Sequence, residues 1–348
     1  MSDRLNYVKF WKGKSVLVTG ASGFIGGALV ERLVLCGAEV FVTALSVDYK
    51  RELYRHRPGE PSLAQQVERV MHCDITDFIE LGHVFKVAEP DYVFHLAAVT
   101  QVTEAAGWPI HTFDVNVMGT LNVLECARLV APGARIIIAS SDKAYGHPRP
   151  EHLPLIEEGP IGITHPYDAS KLCGEVVATA YLNQYGMKVN WTRMANIYGP
   201  GDTNWKRLIP GMVRWALENK QPVIRSDGEQ IRQYLFISDA INALFLLAMD
   251  MEDNSVRLGP WNIGPKGPGH SVKEIAALVG YVAWESFQIQ MREPMILNMA
   301  GDECSNLAID SARARFFLNW EPSCSLKHGI KITMEWMYEM ANQEYLLK

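Results

Sequence analysis

One short stretch limits the fold more than any other. Residues 15–37, "SVLVTGASGFIGGALVERLVLCG", run from a β-rich apolar segment through three glycines into a segment of helical periodicity. Gly20, Gly23 and Gly26 stand at GxxGxxG spacing where the periodicity changes. Glycine there allows a tight turn, lets backbone amides approach a pyrophosphate and permits close packing of helix on strand. The helix N-terminus adds a partial positive charge. An ordinary strand-to-helix turn would also use glycine, so the surrounding pattern has to decide.

That pattern is alternation. "AEVFVTAL", "DYVFHLAA" and "ARIIIASS" read as further strands, and "TFDVNVMGTLNVLECARLV" as a long helix between the last two. "KVNWTRMANIYGP" reads as one more strand leaving the sheet. Strands this apolar need cover on both faces, which predicts an α/β fold built on a doubly wound parallel sheet. Beyond about Asn196 the chain turns loop-rich, with "YGPGDTN", "RSDGEQ" and "GPKGPGH" between short helices such as "RLIPGMVRWALENK". The expected division is a dinucleotide-binding domain over 1–195 plus about 232–263. A smaller α/β substrate-binding domain takes about 196–231 and 264–348, at the carboxyl edge of the sheet, where such sheets hold ligands.

Composition removes several functional classes. A formal net charge of −6 and the lack of any Lys/Arg run argue against a nucleic-acid partner. "MSDRLNYVKFWKGK" has no apolar signal-peptide core and no apolar stretch is long enough for a bilayer, so a cytoplasmic protein without a membrane partner is expected. The six cysteines lie far apart without CxxC pairs, which predicts buried thiols rather than disulfides or zinc ligands; no metal site is expected.

Two clusters carry chemistry. "YDASK" sets Tyr167 and Lys171 four residues apart, on one helix face. An ammonium beside a phenol favours the phenolate, so Tyr167 can take a proton from a substrate alcohol as hydride leaves for a nicotinamide, and Lys171 can hold the ribose. "SSDKAYG", residues 140–146, follows an apolar strand and supplies the hydroxyl of Ser141 with Asp142 and Lys143 behind it. An isolated Asp–Lys pair is usually an exposed ion pair without function. At the carboxyl end of a parallel strand, directly after a hydroxyl, a catalytic reading is favoured. The cofactor choice rests on the second strand. Ala44 stands where an acid for the adenosine ribose is expected, Asp48 and Arg51 come several residues later, and Asp74 in "HCDITD" can reach the adenine edge or start a helix. NAD is expected, with NADP possible.

These motifs together, "TGASGFIG", "HLAA", "NVMGTLNVLE", "YDASK" and "RMANIYGPGD", resemble the extended short-chain dehydrogenase/reductase family over essentially the whole chain. The resemblance implies a Rossmann-type domain with a small substrate domain, acting on nucleoside-diphosphate sugars as epimerase, dehydratase, decarboxylase or reductase. It implies a cofactor turn of Gly20, Ser22, Gly23, Phe24, Ile25 and Gly26. Asp74 and Ile75 lie at the adenine, with Leu96, Ala97, Ala98 and Asn116 along the dinucleotide. Ser141, Tyr167 and Lys171 match its catalytic triad. The "SDK" form is similar to that of CDP-glucose 4,6-dehydratases and some UDP-N-acetylglucosamine dehydratases. It implies oxidation at C4 of the sugar, loss of the C5 hydrogen and C6 hydroxyl, and hydride return to C6. Lys143 is the candidate C5 base and Asp142 the acid at O6, although the two roles are exchangeable. A 4-epimerase, a decarboxylase, a 5,6-dehydratase and a non-catalytic binding protein of the same fold remain open.

On the substrate side, Arg232 and Asn196 match the family's phosphate-binding arginine and phosphate-proximal asparagine. Arg207 and Arg225 are further candidates, because a guanidinium fork suits phosphate. Thr100 and Gln101 follow "HLAA" and can line a sugar pocket. Trp205 stacks on a base or fills a core, and His95 reads as a packed core histidine. Helices around "FDVNVMGTLNVLECA" and "YDASKLCGEVVATAYLNQY" are apolar on more than one face, which fits the homodimers or dimers of dimers of the family.

Overall fold

The computed structural model describes residues 2–46, 53, 61–252, 257–299 and 304–342. The chain divides into two compact units. One comprises Met1–Gly146, Ile161–Arg193 and Ile241–Trp261; the other His147–Pro160, Met194–Ala240 and Asn262–Lys348. The sequence-based division differs at 147–160, 194–195, 232–240 and 262–263, all of which belong to the second unit.

The first unit is built on a seven-stranded sheet. Its strands are β1 (Ser15–Thr19), β2 (Glu39–Ala44), β3 (Arg69–His72), β4 (Tyr92–His95), β5 (Arg135–Ala139), β6 (Val189–Met194) and a last strand, Gly259–Ile263. The order is last strand–β6–β5–β4–β1–β2–β3, with parallel pairing from β3 through to β6. β1 lies at the centre, Val18 opposite Val42 on one side and Phe94 on the other. The winding reverses between β1 and β4, and such a switch point opens a crevice at the strands' carboxyl ends. Val16, Leu17 and Val18 are wholly buried, as strands covered on both faces must be. The Phe24–Leu35 helix stops where Gly37 takes φ +76°, and Asp77 caps the Phe78–Ala88 helix by accepting from the Ile79 and Glu80 amides.

Four features depart from the sequence reading. Residues Ser2–Trp11 form a helix whose Trp11 ring is buried against Tyr92, Phe94 and Phe245, giving "FWKGK" a packing role. β3 escaped the apolar-run criterion because it is only partly buried. The long helix carries a π-helical segment over Asp114–Met118. "KVNWTRMANIYGP" is two strands, broken at Ala195. Asn196–Tyr198 pairs with Tyr234–Phe236 in the second unit.

That second unit also holds the Leu208–Leu217, Val272–Phe287 and Leu326–Asn342 helices, packed on one another, and two further small sheets. All six cysteines are free. Cys36, Cys73 and Cys126 are buried; Cys173, Cys304 and Cys324 are only half-buried, against the expectation of uniform burial. Among the described residues there is no cluster of potential metal ligands, and no helix is long and apolar enough to cross a membrane.

Candidate active site

The crevice begins at the glycine turn. Gly20 has φ +72°, and a Cβ there would lie 2.6 Å from the Ala97 nitrogen. A Cβ on Gly26 would lie 2.3 Å from the Gly20 carbonyl oxygen. Each glycine therefore fills a position closed to any other residue. Gly23 is the N-cap of the next helix, which has no side-chain cap and no acid in its first turn. Its first amides face the crevice with the positive end of the helix dipole, a setting for an anion.

A buried polar chain fixes the opposite wall. Thr19 Oγ1 accepts from the Leu96 and Ala97 amides at 3.2 and 3.3 Å, and its own proton goes to His95 Nδ1 at 2.8 Å. His95 Nε2 donates to Thr120 Oγ1 at 3.0 Å, because that hydroxyl donates to the Asn116 carbonyl. Burial, and secondarily the charge of Lys171, push His95 down to about 3, so it stays neutral. It is the packed histidine expected from its strand.

Asn116 sits on the π-helical segment. Its Oδ1 accepts from the Val99 amide at 2.8 Å, and its Nδ2 donates to the Val99 carbonyl and to Ser170 Oγ. The side chain thus clasps the segment after "HLAA" and ties it to the Tyr167–Lys171 helix. π-bulges are frequent at functional sites because they displace one residue from the helical register. No periodicity argument reveals that displacement.

At the expected adenine end, Asp74 accepts from the Thr76 amide and hydroxyl in a local turn, while Asp77 does the capping. Asn122, overlooked in the sequence, donates to the Ile75 and Thr76 carbonyls at 3.0 and 3.1 Å. Buried Ile75 packs over Gly119, one helical turn before Asn122. The only signal was a second asparagine six residues after Asn116. Ala44 ends β2, with exposed Leu45 and Ser46 following. Asp48 and Arg51 lie outside the described residues.

The strand-end cluster follows β5. Ser141 caps a 3-10 turn, Asp142–Tyr145; its Oγ accepts from the Lys143 amide and donates to Asp142 Oδ1 at 3.1 Å. Asp142 is 3% exposed, and its Oδ1 lies 4.0 Å from Lys143 Nζ. That Nζ is buried without a hydrogen-bond partner among the described residues. Gly146 ends the turn at φ +67°, where a Cβ would meet the Gly162 carbonyl oxygen at 1.7 Å. The Pro166–Tyr185 helix packs on this turn. It presents buried Tyr167 beside Val99 and Ala105, and Lys171 Nζ donates to the Ala139 carbonyl at 3.0 Å. Burial pushes Lys171 down to about 8, opposed by the negative charge of Glu175.

Thr100 is exposed on the first unit. The other substrate candidates lie on the second, each with its own contacts. Asn196 donates to the Gln233 carbonyl at 3.2 Å. Arg207 pairs with buried Asp202 at 3.2 Å. Arg232 donates to the Ile231 and Cys304 carbonyls at 2.8 and 2.6 Å, and Arg225 is exposed. Trp205 carries the Arg214 guanidinium 4.9 Å from its ring centroid.

The closed glycine cradle, the uncapped helix N-terminus and the Tyr–Lys pair on one helix fit a nicotinamide dinucleotide. The description "NAD dependent epimerase/dehydratase family" matches residues 16–264. Among curated proteins, the chain is 30% identical to UDP-glucuronic acid decarboxylase 1 of Xenopus tropicalis, over 96% of this chain and 76% of that protein. It is 30% identical to the dTDP-glucose 4,6-dehydratase of Neisseria meningitidis, covering 93% of each. It is 29% identical to the CDP-glucose 4,6-dehydratase of Salmonella typhimurium, over 94% of this chain and 91% of that one. Of solved structures, Thermotoga maritima UDP-glucose 4-epimerase with UDP-glucose superposes with a TM-score of 0.78 at 26% identity, over 94% of this chain and 99% of that one. Thermus thermophilus UDP-glucose 4-epimerase with NAD does so with 0.78 at 25% identity, over 93% and 98%. With a Rossmann-like sheet, a glycine cradle and a match over residues 16–264, the chain belongs to the NAD-dependent epimerase/dehydratase family.

Proposed function

We propose that this enzyme dehydrates a nucleoside-diphosphate hexose to its 4-keto-6-deoxy form. The observation that carries the reading is the buried Lys143 Nζ, without a hydrogen-bond partner among the described residues, 4.0 Å from buried Asp142 on the turn directly after Ser141. An epimerase has no use for an acid and an amine there, whereas an elimination across C5 and C6 needs one group of each kind.

The glycine turn, the Leu96–Ala98 segment and Lys171 would hold NAD, which would supply reversible oxidation at C4 of the sugar. Tyr167 takes the proton of the C4 hydroxyl, with the Lys171 ammonium one helical turn away and the Ser141 hydroxyl steering the same oxygen. A C4 ketone makes the C5 hydrogen acidic. Lys143, as a neutral amine, removes that proton; Asp142, as a carboxylic acid, gives its own to the departing C6 oxygen. The C5–H and C6–O bonds break, a C5–C6 double bond forms and one water leaves. The ion pair and its neutral tautomer hold the same number of protons, so transfer of one proton from Lys143 to Asp142 readies both groups. Elimination returns the pair to its ion-paired form; the hydride taken from C4 would then return to C6 while the Lys143 ammonium gives its proton back to C5, which yields the 4-keto-6-deoxy product.

The relatives' names support the substrate class, since those cited act on or bind nucleotide sugars. Asn196, Arg207, Arg225 and Arg232 are proposed to hold its diphosphate, and Thr100 its sugar. The enzyme is proposed to be a cytoplasmic homodimer. Val176, Leu129 and Met118, each roughly half-exposed or more on neighbouring helices, support self-association.

Incubation with NAD and a panel of nucleotide-hexoses, followed by mass spectrometry, tests the reading. A product lighter by one water is expected. A product of unchanged mass means epimerisation, and one lighter by carbon dioxide means decarboxylation; either overturns the proposal. Hydride at C6 rather than C4 of the product separates the 4,6- from the 5,6-dehydratase outcome.

A further inference from the structure

We infer that the buried Glu175–Arg193 pair is a positioning device that holds the Asp142–Tyr145 turn and Lys171 in one register. The inference deepens the dehydration reading and rests on it for the reaction; its statement about Lys171 stands by itself.

Arg193 Nε lies 3.1 Å from each carboxylate oxygen of Glu175, and Nη2 closes a second contact to Oε2. The two side chains are 6% and 4% exposed. Contacts run from this pair to both ends of the turn. Ser140, the residue before Ser141, donates its hydroxyl to Glu175 Oε1. The Arg193 guanidinium lies over the ring of wholly buried Tyr145, 4.4 Å from its centroid, at the end of the turn. Glu175 also sits one helical turn beyond Lys171 and opposes the effect of burial on it.

A buried ion pair is a poor device for stability alone, because well-packed apolar side chains of like volume often serve as well. Here one carboxylate fixes the start of the turn, its guanidinium partner fixes the end, and the same carboxylate keeps Lys171 charged. The other titratable groups around Lys171 are neutral His95 on β4, Tyr167 on its own helix, and Asp142 and Lys143 on the turn that helix packs against. Arg193 stands behind Glu175.

The test uses the full chain with NAD, carrying 13Cε-labelled lysine and followed by NMR against pH; loss of one resonance in Lys171→Met assigns Lys171. In Glu175→Gln its midpoint is expected to fall from about 8 by roughly one unit, as loss of a neighbouring opposite charge dictates. Glu175→Gln with Arg193→Met leaves no charge unpaired and is expected to shift the midpoint by less in the same direction. If the single variant does not fold, the double variant decides. An unchanged midpoint in a folded variant overturns the inference. With substrate, the double variant is expected to lose at least tenfold in kcat while KM stays within about twofold. Equal kcat for parent and double variant also overturns it. A parent that turns over no nucleotide sugar sinks the dehydration reading, and the lysine titration still decides this one.

Discussion

Lys143 Nζ is buried 4.0 Å from Asp142 Oδ1 and has no hydrogen-bond partner among the described residues. Leaving a buried donor unsatisfied is costly, and the cost persists only where a site requires it. In the dehydration proposed above, a substrate carbon acid and its departing hydroxyl would supply what this pair lacks. Lys143→Met should therefore bind NAD as the parent does but fail to bring solvent deuterium into C5. Overall turnover should drop by about 10²–10⁴-fold, the usual contribution of one proton-transfer group. Exchange at the parent rate would assign the base elsewhere.

Lys171 carries the opposite lesson, a cost to the fold. Its folded-state value is pushed down to about 8 from the ordinary 10.5, chiefly by burial. Between those values the unfolded chain holds a proton that the folded chain does not, so stability rises with pH across that window. Below pH 8 the full cost of burying the charge is present. Lys171→Met is accordingly expected to melt higher than the parent at pH 7 and to lose that advantage toward pH 10, while being inactive. The parent's own activity should fall as pH rises through about 8, where the ammonium disappears. A variant that melts lower at pH 7 would show that the Ala139 hydrogen bond outweighs the burial cost.

Much of this was legible in the residues because it rests on local chemistry. The glycine turn, the apolar strands β1, β2, β4 and β5, and the adjacency of Ser141, Asp142 and Lys143 follow from spacing alone. What escaped depends on tertiary packing. β3 is only partly buried, so it shows no apolar run. The segment Ser2–Trp11 shows no apolar stripe; its helix is held by aromatic contacts of Trp11 with Tyr92, Phe94 and Phe245 and of Tyr7 with Phe245. The break at Ala195 arises because Asn196–Tyr198 finds a partner strand in Tyr234–Phe236, 38 residues on by Cα register. Arg232, matched to the family's phosphate-binding arginine, also donates to the Ile231 and Cys304 carbonyls, a placement no motif reveals.

Asn122 was hidden for the same reason, and it supports a prediction about cofactor affinity. Its amide holds the Ile75 and Thr76 carbonyls, the segment next to the expected adenine site. Asn122→Leu keeps the volume and removes both bonds, each worth about 1 kcal/mol. The Kd for NAD should rise about tenfold, corresponding to about 1.4 kcal/mol. At saturating NAD, kcat should be unchanged, because nothing near Tyr167 has moved. Calorimetric titration of NAD settles the first point, and an unaltered Kd would mean that the segment keeps its shape unaided.

Self-association is open to a single surface change. The helix Pro166–Tyr185 packs on Gly119–Val130, with Tyr181 donating to Glu125 at 2.9 Å between them. On this layer Val176 is 60% exposed and Leu129 56%. Apolar side chains left outward on neighbouring helices favour a two-fold contact, in which each residue meets its copy or its copy's neighbour. Val176→Glu removes little from the fold, since the side chain already faces outward, but would set a carboxylate into that contact on both copies. The molar mass from light scattering should halve relative to the parent. NAD binding per chain should persist, because Val176 is 60% exposed and is none of the residues proposed to hold NAD. The melting temperature should fall modestly and lose its dependence on protein concentration, as expected when association no longer draws on the folded state. A parent that is monomeric, or a variant of undiminished mass, would remove these helices from any role in assembly.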